Sequence, residues 1–363
     1  MSKLRLAAVA VAVCVAVLGA ADVRAASISS AASGNWNNTN TWSPQQIPTA
    51  ADDVTIIGGT SVTIPTLYGA VAKSVTLQGD IVSPQVLDLD ASGASLTVTN
   101  GITFTAPGTS VVDQLIVGQG TVTSSGISID AGSTGTSRMI ISTGSVTTGS
   151  VTFAGIASNA EVKFTNNGTL TLNGSLGAGG TLVPSTGTVQ FTGTGAQSIG
   201  SYSFFNLGIN KASGTATLLG PITVGVNGSG GDLTITAGTL ADNGNQITGN
   251  NTGSMAMLGT SEIKLGSGAG STLLPLFASF SFATTSTVTY QGQAAQSIDA
   301  TAVYGNLTID TATATASMSG NTTIAGNVTI NSGTLNLATF AHNVAGNWSN
   351  GGTVAPGSST VNF

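Results

Sequence analysis

The 363-residue sequence has little of what catalysis, metal binding and nucleic-acid recognition use. It has one cysteine, one histidine, eight Lys and Arg against fourteen Asp and Glu, and only 6% charged residues. Cys14 lies inside the apolar run from Leu6 to Leu18. Lys3 and Arg5 precede that run, and Val23-Arg24-Ala25 follows it with small-residue cleavage chemistry. This is the pattern of a bacterial-style secretory signal peptide, residues 1–25, cleaved after Ala25. The run is too short to span a bilayer comfortably as an anchor. The mature chain then lacks cysteine, disulfides and thiol chemistry, and no membrane span is expected in it. It keeps five cations, Lys73, Arg138, Lys163, Lys211 and Lys264, against thirteen acids, a net charge of −8. Five scattered cations make no phosphate-binding stripe, so nucleic acid is not expected as a partner. His342 reads as part of a turn between strands. With no second histidine it predicts no transition-metal site, and no cofactor is expected. Phosphate-loop and nucleophile-elbow patterns are missing. Helix signals are missing too after residue 26. No long segment has apolar residues at the helical period, and the 50 glycines recur too often for helices.

What is present is short alternation. TLTL at 169, TVQF at 188, NLGI at 206, DLTI at 232, TVTY at 287, NLTI at 306, NVTI at 327 and TVNF at 360 each put apolar side chains on one face and Thr or Asn on the other. Gly, Asn and Ser clusters separate them. A longer repeat contains these runs. GSLGAGGTLVPSTGTVQF, 174–191, aligns without a gap to GNWSNGGTVAPGSSTVNF, 346–363. Gly195-Ala196-Gln197-Ser198-Ile199 matches Ala294-Ala295-Gln296-Ser297-Ile298, and the match continues through 231–240 and 326–335. Long units therefore start near 188, 287 and 360, the last incomplete. The second is shorter because it lacks an equivalent of the segment around 261–275.

Such self-similarity marks a stacked array. Turns of about twenty residues, each with two or three strands, predict an all-β fold, a right-handed parallel β-helix. About seventeen turns would make a rod of roughly 80 Å. Residues 26–56 would form an N-terminal cap and first strand, and 57–363 the solenoid. A row of β-sandwich modules predicts a recurring Trp or Tyr core in each module, and Trp348 is the single tryptophan in the later repeats.

The phrase 33–44, SGNWNNTNTWSP, leads through IPTAADDVTI at 47–56 into the first regular strand. Trp36 and Trp42 can roof the apolar column and protect the open edge. The other reading is an exposed sugar-stacking platform. Asp52 and Asp53 are expected to satisfy turn amides. GNW…TW…P…DDVTI, the later TVQFTGTGAQSI and GDLTITAGTL, and the repeated 18-residue phrase together resemble bacterial secreted parallel β-helix repeat proteins of the autotransporter-passenger and surface-adhesin type. That resemblance implies an exported or cell-surface protein with adhesive, binding or scaffolding roles, whose partners are surface glycans or proteins of host or neighbouring cells. Such proteins commonly carry an anchoring or export module, and none is visible in this sequence. The chain thus reads as one piece of a longer array.

For chemistry, the best pair is Asp88 and Asp90 in VLDLD, which alternation places on one strand face. Two such carboxylates could serve glycoside hydrolysis or hold calcium; the plain reading is an exposed polar face. A carbohydrate-active or carbohydrate-binding β-helix using Asp88 and Asp90 is therefore the alternative to a non-enzymatic adhesin or scaffold. No catalytic residue is assigned. Thr-x-Thr pairs at 97/99, 103/105, 169/171, 215/217 and 313/315 are irregularly spaced along the chain. They read as ordinary outward threonine rather than an ice-binding array.

Overall fold

The computed structural model describes residues 25–226, 230–268 and 270–363. Residues 1–24, nearly all of the expected signal peptide, lie outside them. The described chain is all-β and winds into a parallel β-solenoid of about 13 turns. Its one helical element is a 3-10 turn, Thr39–Thr41.

Each regular turn carries three strands. Thr121–Ser124 lies on what we term the first face, Gly126–Asp130 on the second and Thr136–Ile141 on the third. The next turn repeats them as Ser145–Thr148, Ser150–Ala154 and Ala160–Phe164. Val122 pairs with Val146, Ile127 with Val151 and Met139 with Val162, all in parallel. Alternation decides what faces inward. Leu96, Val122, Val146, Leu170 and Val189 stack as one buried column under the first face. Leu87, Leu115, Met139 and Val162 do the same under the third. Burying each such side chain contributes about 1.5–3 kcal/mol.

The turns are longer than the expected twenty residues in the N-terminal half. Pairing advances 26 residues from Ile28 to Val54 and 24 from Val122 to Val146, but only 19 from Val288 to Leu307. The surplus lies in the corner loops. The chain therefore makes about 13 turns instead of seventeen, and the rod is roughly 60 Å long at about 4.8 Å per turn.

At the N-terminal end, the strand Ser27–Ser30 pairs in parallel with Asp53–Ile56 on one side. On its other side Trp42–Ser43 pairs antiparallel, Ser30 against Trp42. The exposed edge of the first strand is thereby occupied. Asp52 accepts from the amides of Ala26 (2.9 Å) and Thr49 (2.8 Å), as expected for a turn carboxylate. Asp53 does not hold a turn amide. It accepts from Ser74 Oγ at 2.5 Å and pairs with Lys73 at 2.9 Å, both on the next turn.

The long repeats do not stack on their own equivalents. Thr188–Phe191 continues the first-face ladder from Thr169–Leu172 and passes it to 206–209, 233–235, 254–257 and 279–282. Its counterpart Thr287–Tyr290 pairs with Glu262–Leu265, which pairs with 239–241 on the second face. The first unit thus makes four turns and one further face. The second runs down the second face from 287 through 306, 328 and 348 and ends two faces on, where Thr360–Asn362 pairs with Ala341–Val344. Corner geometry is kept through this rotation. Gly238 (φ 80°) and Gly333 (φ 78°) make the same bend in the two units, in a left-handed conformation that favours glycine.

Leu170→Ala in the first column should cost about 2–5 kcal/mol in a chemical melt, while outward Thr171→Ala stays within about 0.5 kcal/mol. Small-angle scattering should give a rod with a long dimension of roughly 60 Å; a compact particle would contradict the stack.

Candidate functional site

The two aspartates singled out by sequence close a turn. The strand Val86–Asp88 ends at Asp88, whose Oδ1 accepts the Asp90 amide at 2.8 Å. Burial pushes the Asp88 carboxyl above its usual range, and the Asp90 charge adds to this. Asp90 is exposed and lies over Gly118 of the next turn, where a Cβ would fall 1.8 Å from its Oδ1. One carboxylate oxygen of the pair is thus committed to the backbone. Trp36 and Trp42 are 0% and 1% exposed, with centroids 5.0 Å apart in an edge-to-face contact. Trp42 Nε1 donates to Trp36 O at 2.8 Å. Neither ring offers an open face on which a sugar could stack.

Alternation in VDQLIV and NLGINK puts Asp113 with Leu115 and Val117, and Lys211 with Leu207 and Ile209, on the inward side. That signal was present in the sequence and was missed. Asp113 and Gln85 are both 0% exposed on successive turns, Gln114 N donating to Gln85 O at 3.0 Å and Gln85 N to Asp113 Oδ1 at 3.4 Å. Asp113 Oδ2 and both side-chain polar atoms of Gln85 lack protein partners. Burial pushes the Asp113 carboxyl up to about 7, and repulsion from Asp80 adds to it. Lys211 is also 0% exposed. Its ammonium donates to Gly193 O (2.6 Å), Gly195 O (2.8 Å) and Gln197 Oε1, and burial lowers its pKa. The second unit has Thr311 at this place. There Gln296, the counterpart of Gln197, accepts from Gly292 N at 2.7 Å instead. His342 is not in a turn. It points inward from the strand Ala341–Val344, its Nε2 3.1 Å from Leu337 O and its Nδ1 without a partner. Among the described residues no three His, Cys, Asp or Glu side chains converge as metal ligands. No described helix is long and apolar enough to cross a membrane.

One concavity is a trough on the third face. Between Ile247–Thr248 and Gln296–Ile298 the segment 271–277 forms no strand. The side-chain amide of Gln246 replaces a strand partner there, donating to Leu273 O at 3.1 Å and accepting Leu273 N at 2.9 Å. The resulting depression is about 490 Å³ and is lined by Ile247, Leu273, Leu276, Ser297, Asp299 and Ser319, among others. Leu273 and Leu276 are each more than half exposed. A second depression of about 280 Å³, lined by Ser201, Tyr202 and Thr223, shares Thr248 with the first. Asp299 is the one charged residue lining either, and its Oδ1 accepts Thr301 N at 2.6 Å. Aliphatic side chains and hydroxyls with one engaged carboxylate make a binding surface; they do not supply a general acid and base.

These features define a parallel β-solenoid. No family model, no curated protein and no solved structure matches the chain.

Asp113 gives a pH prediction. Unfolded, it ionises near its usual 3.8; folded, near about 7. The folded state holds the proton more tightly, so this contribution is full below pH 3.8 and is lost as pH rises through 7. Asp113→Asn should raise unfolding stability at pH 8, by a few kcal/mol at most at about 1.4 kcal/mol per pKa unit, and the gap, read from melts across pH, should close near pH 4. Lys211→Met leaves three oxygens, two of them buried, without their donor. It should destabilise by about 1–3 kcal/mol or more in denaturant melts.

Proposed function

We propose that the chain is an exported, cell-surface solenoid of a bacterium that acts as a non-enzymatic adhesin or scaffold. The observation that carries this reading is the stack itself: about 13 parallel turns, with inward titratable side chains, Asp113, Lys211, Asp242 and His342, dispersed along it. A long rod projects a surface away from its point of attachment, and the fold fits a structural or adhesive role. The apolar segment at residues 6–18 supports export, with cleavage after Ala25. The likeness of the GNW…DDVTI phrase and the repeats to autotransporter passengers and surface adhesins supports the surface location. Surface glycans or proteins of host or neighbouring cells are the partners in this reading. Glycans enter as ligands of the third-face trough rather than as substrates of Asp88 and Asp90.

Expression with the native N-terminus in a Gram-negative host tests both parts. The expected product lies outside the inner membrane, begins at Ala26, and makes coated beads adhere to cells. Uncleaved protein retained in the cytoplasm would refute export. Correctly exported protein whose beads adhere to nothing, or which releases reducing ends from polysaccharides, would refute the adhesive reading.

A further inference from the structure

Threonines that look scattered along the chain become a lattice once the turns are in register. On the first face, the outward residues of four successive turns are Ser95 and Thr97, Thr121 and Thr123, Ser145 and Thr147, Thr169 and Thr171. A fifth turn adds Thr188 and Gln190. Over the first four turns every outward position of these strand segments carries a hydroxyl. All are exposed or half-exposed, and none of the ten positions is charged or aromatic. The ladder is unbroken: Thr97 pairs with Thr123, Thr123 with Thr147 and Thr147 with Thr171. Among the described residues, the eight hydroxyls from Ser95 to Thr171 make no hydrogen bond to protein. The adjoining second face carries another file, Thr55, Thr76, Thr103, Ser128 and Thr152, in equally continuous pairing. Of the Thr-x-Thr pairs in the sequence, only 169/171 lies wholly in this array. Thr97 and Thr99 are both outward, but Thr99 sits at the corner between two faces.

The geometry follows from the backbone. Neighbouring turns are about 4.8 Å apart and outward residues on one strand about 6.6–6.8 Å apart. The column Leu96, Val122, Val146 and Leu170 fixes the strands from behind, and β-branched threonine is stiff at χ1. The face is thus a rigid two-dimensional array. Each hydroxyl can donate one hydrogen bond and accept two, so it is both donor and acceptor like water, and each threonine sets a methyl group beside it.

We propose that this first face, from Ser95 to Thr188, binds the surface of ice. A soluble ligand of a few atoms has no use for eight like groups in register; an occupant that is itself periodic in two directions does. Hexagonal ice presents rows of oxygens at similar intervals along two directions, each oxygen both donor and acceptor. Charged side chains would hold their own hydration shells out of step with such a lattice, and this face has none. Crystalline polysaccharide is the other periodic solid, but sugar rings are usually gripped by aromatic faces, and none points outward here. Prior rigidity keeps the ordering cost small, so many weak contacts add. The inference concerns the face alone and stands whether or not the chain is exported.

The test uses the full chain lacking only residues 1–25. Ice is grown slowly from dilute protein, and the protein fraction in ice and the gap between melting and freezing points are read. The wild type should concentrate in the ice and open a freezing gap. Thr123→Lys/Thr147→Lys, shown by circular dichroism and melting to keep the fold, should lose both, as should Thr171→Lys on a separate turn. Thr323→Lys, distant from the array, should keep both. Exclusion of the wild type from ice, undiminished uptake of the array variants, or binding to crystalline chitin or cellulose but not ice would each overturn the proposal.

Discussion

Everything in this molecule depends on the hydrogen bonds that each turn donates to the next. A parallel ladder fixes register, and register fixes which side chain is inside. Once Ile28 lies against Val54, Val54 against Val75 and Val75 against Ile102, the pleat sends every second residue into one narrow column. A slip by one residue would turn that column out to solvent and bring Thr and Ser in. The chain therefore tolerates corners of different length far better than a change of phase within a strand. This is visible in the turn lengths, which vary by several residues while inward positions stay apolar almost throughout.

The strands and their stacking were legible because period-two alternation and glycine punctuation are local signals. What the sequence obscured were relations between turns. Thr121, Ser145 and Thr169 are separated by corners of no fixed sequence, so their alignment is a property of the ladder and not of any motif. The long repeat misled in the opposite direction. Val189 and Val288 occupy equivalent places in two copies of one phrase, yet they face different sides of the rod. The candidate site was the least legible part. Asp88 and Asp90 drew notice as a carboxylate pair, while the polar groups under most physical stress, Asp113 and Lys211, sat in the inward phase of ordinary strands. Reading alternation through them, instead of stopping at the charged residue, would have found both.

Those buried groups show how a solenoid interior accommodates polarity. Lys211 is held by two backbone carbonyls and one amide oxygen at a corner, where strands end and carbonyls are left over. Asp242 is used similarly, accepting the amides of Gly244 (2.9 Å) and Gly266 (2.8 Å) from two successive corners. In each case a side chain supplies what the interrupted ladder does not. Asp113 with Gln85 departs from this pattern, since three of their polar atoms have no protein partner. The described interior is thus least settled near the third face of its N-terminal half.

The rotation between the long units has an evolutionary corollary. Because the first copy overshoots a whole number of revolutions by one side and the second falls short by one, duplication or loss of a single copy would swing the azimuth of everything distal by a third of a circle. Gain or loss of both copies together would restore it. Recombination in such a gene acts as an indexing mechanism: it alters the bearing on which the far end presents its surface, as well as its reach.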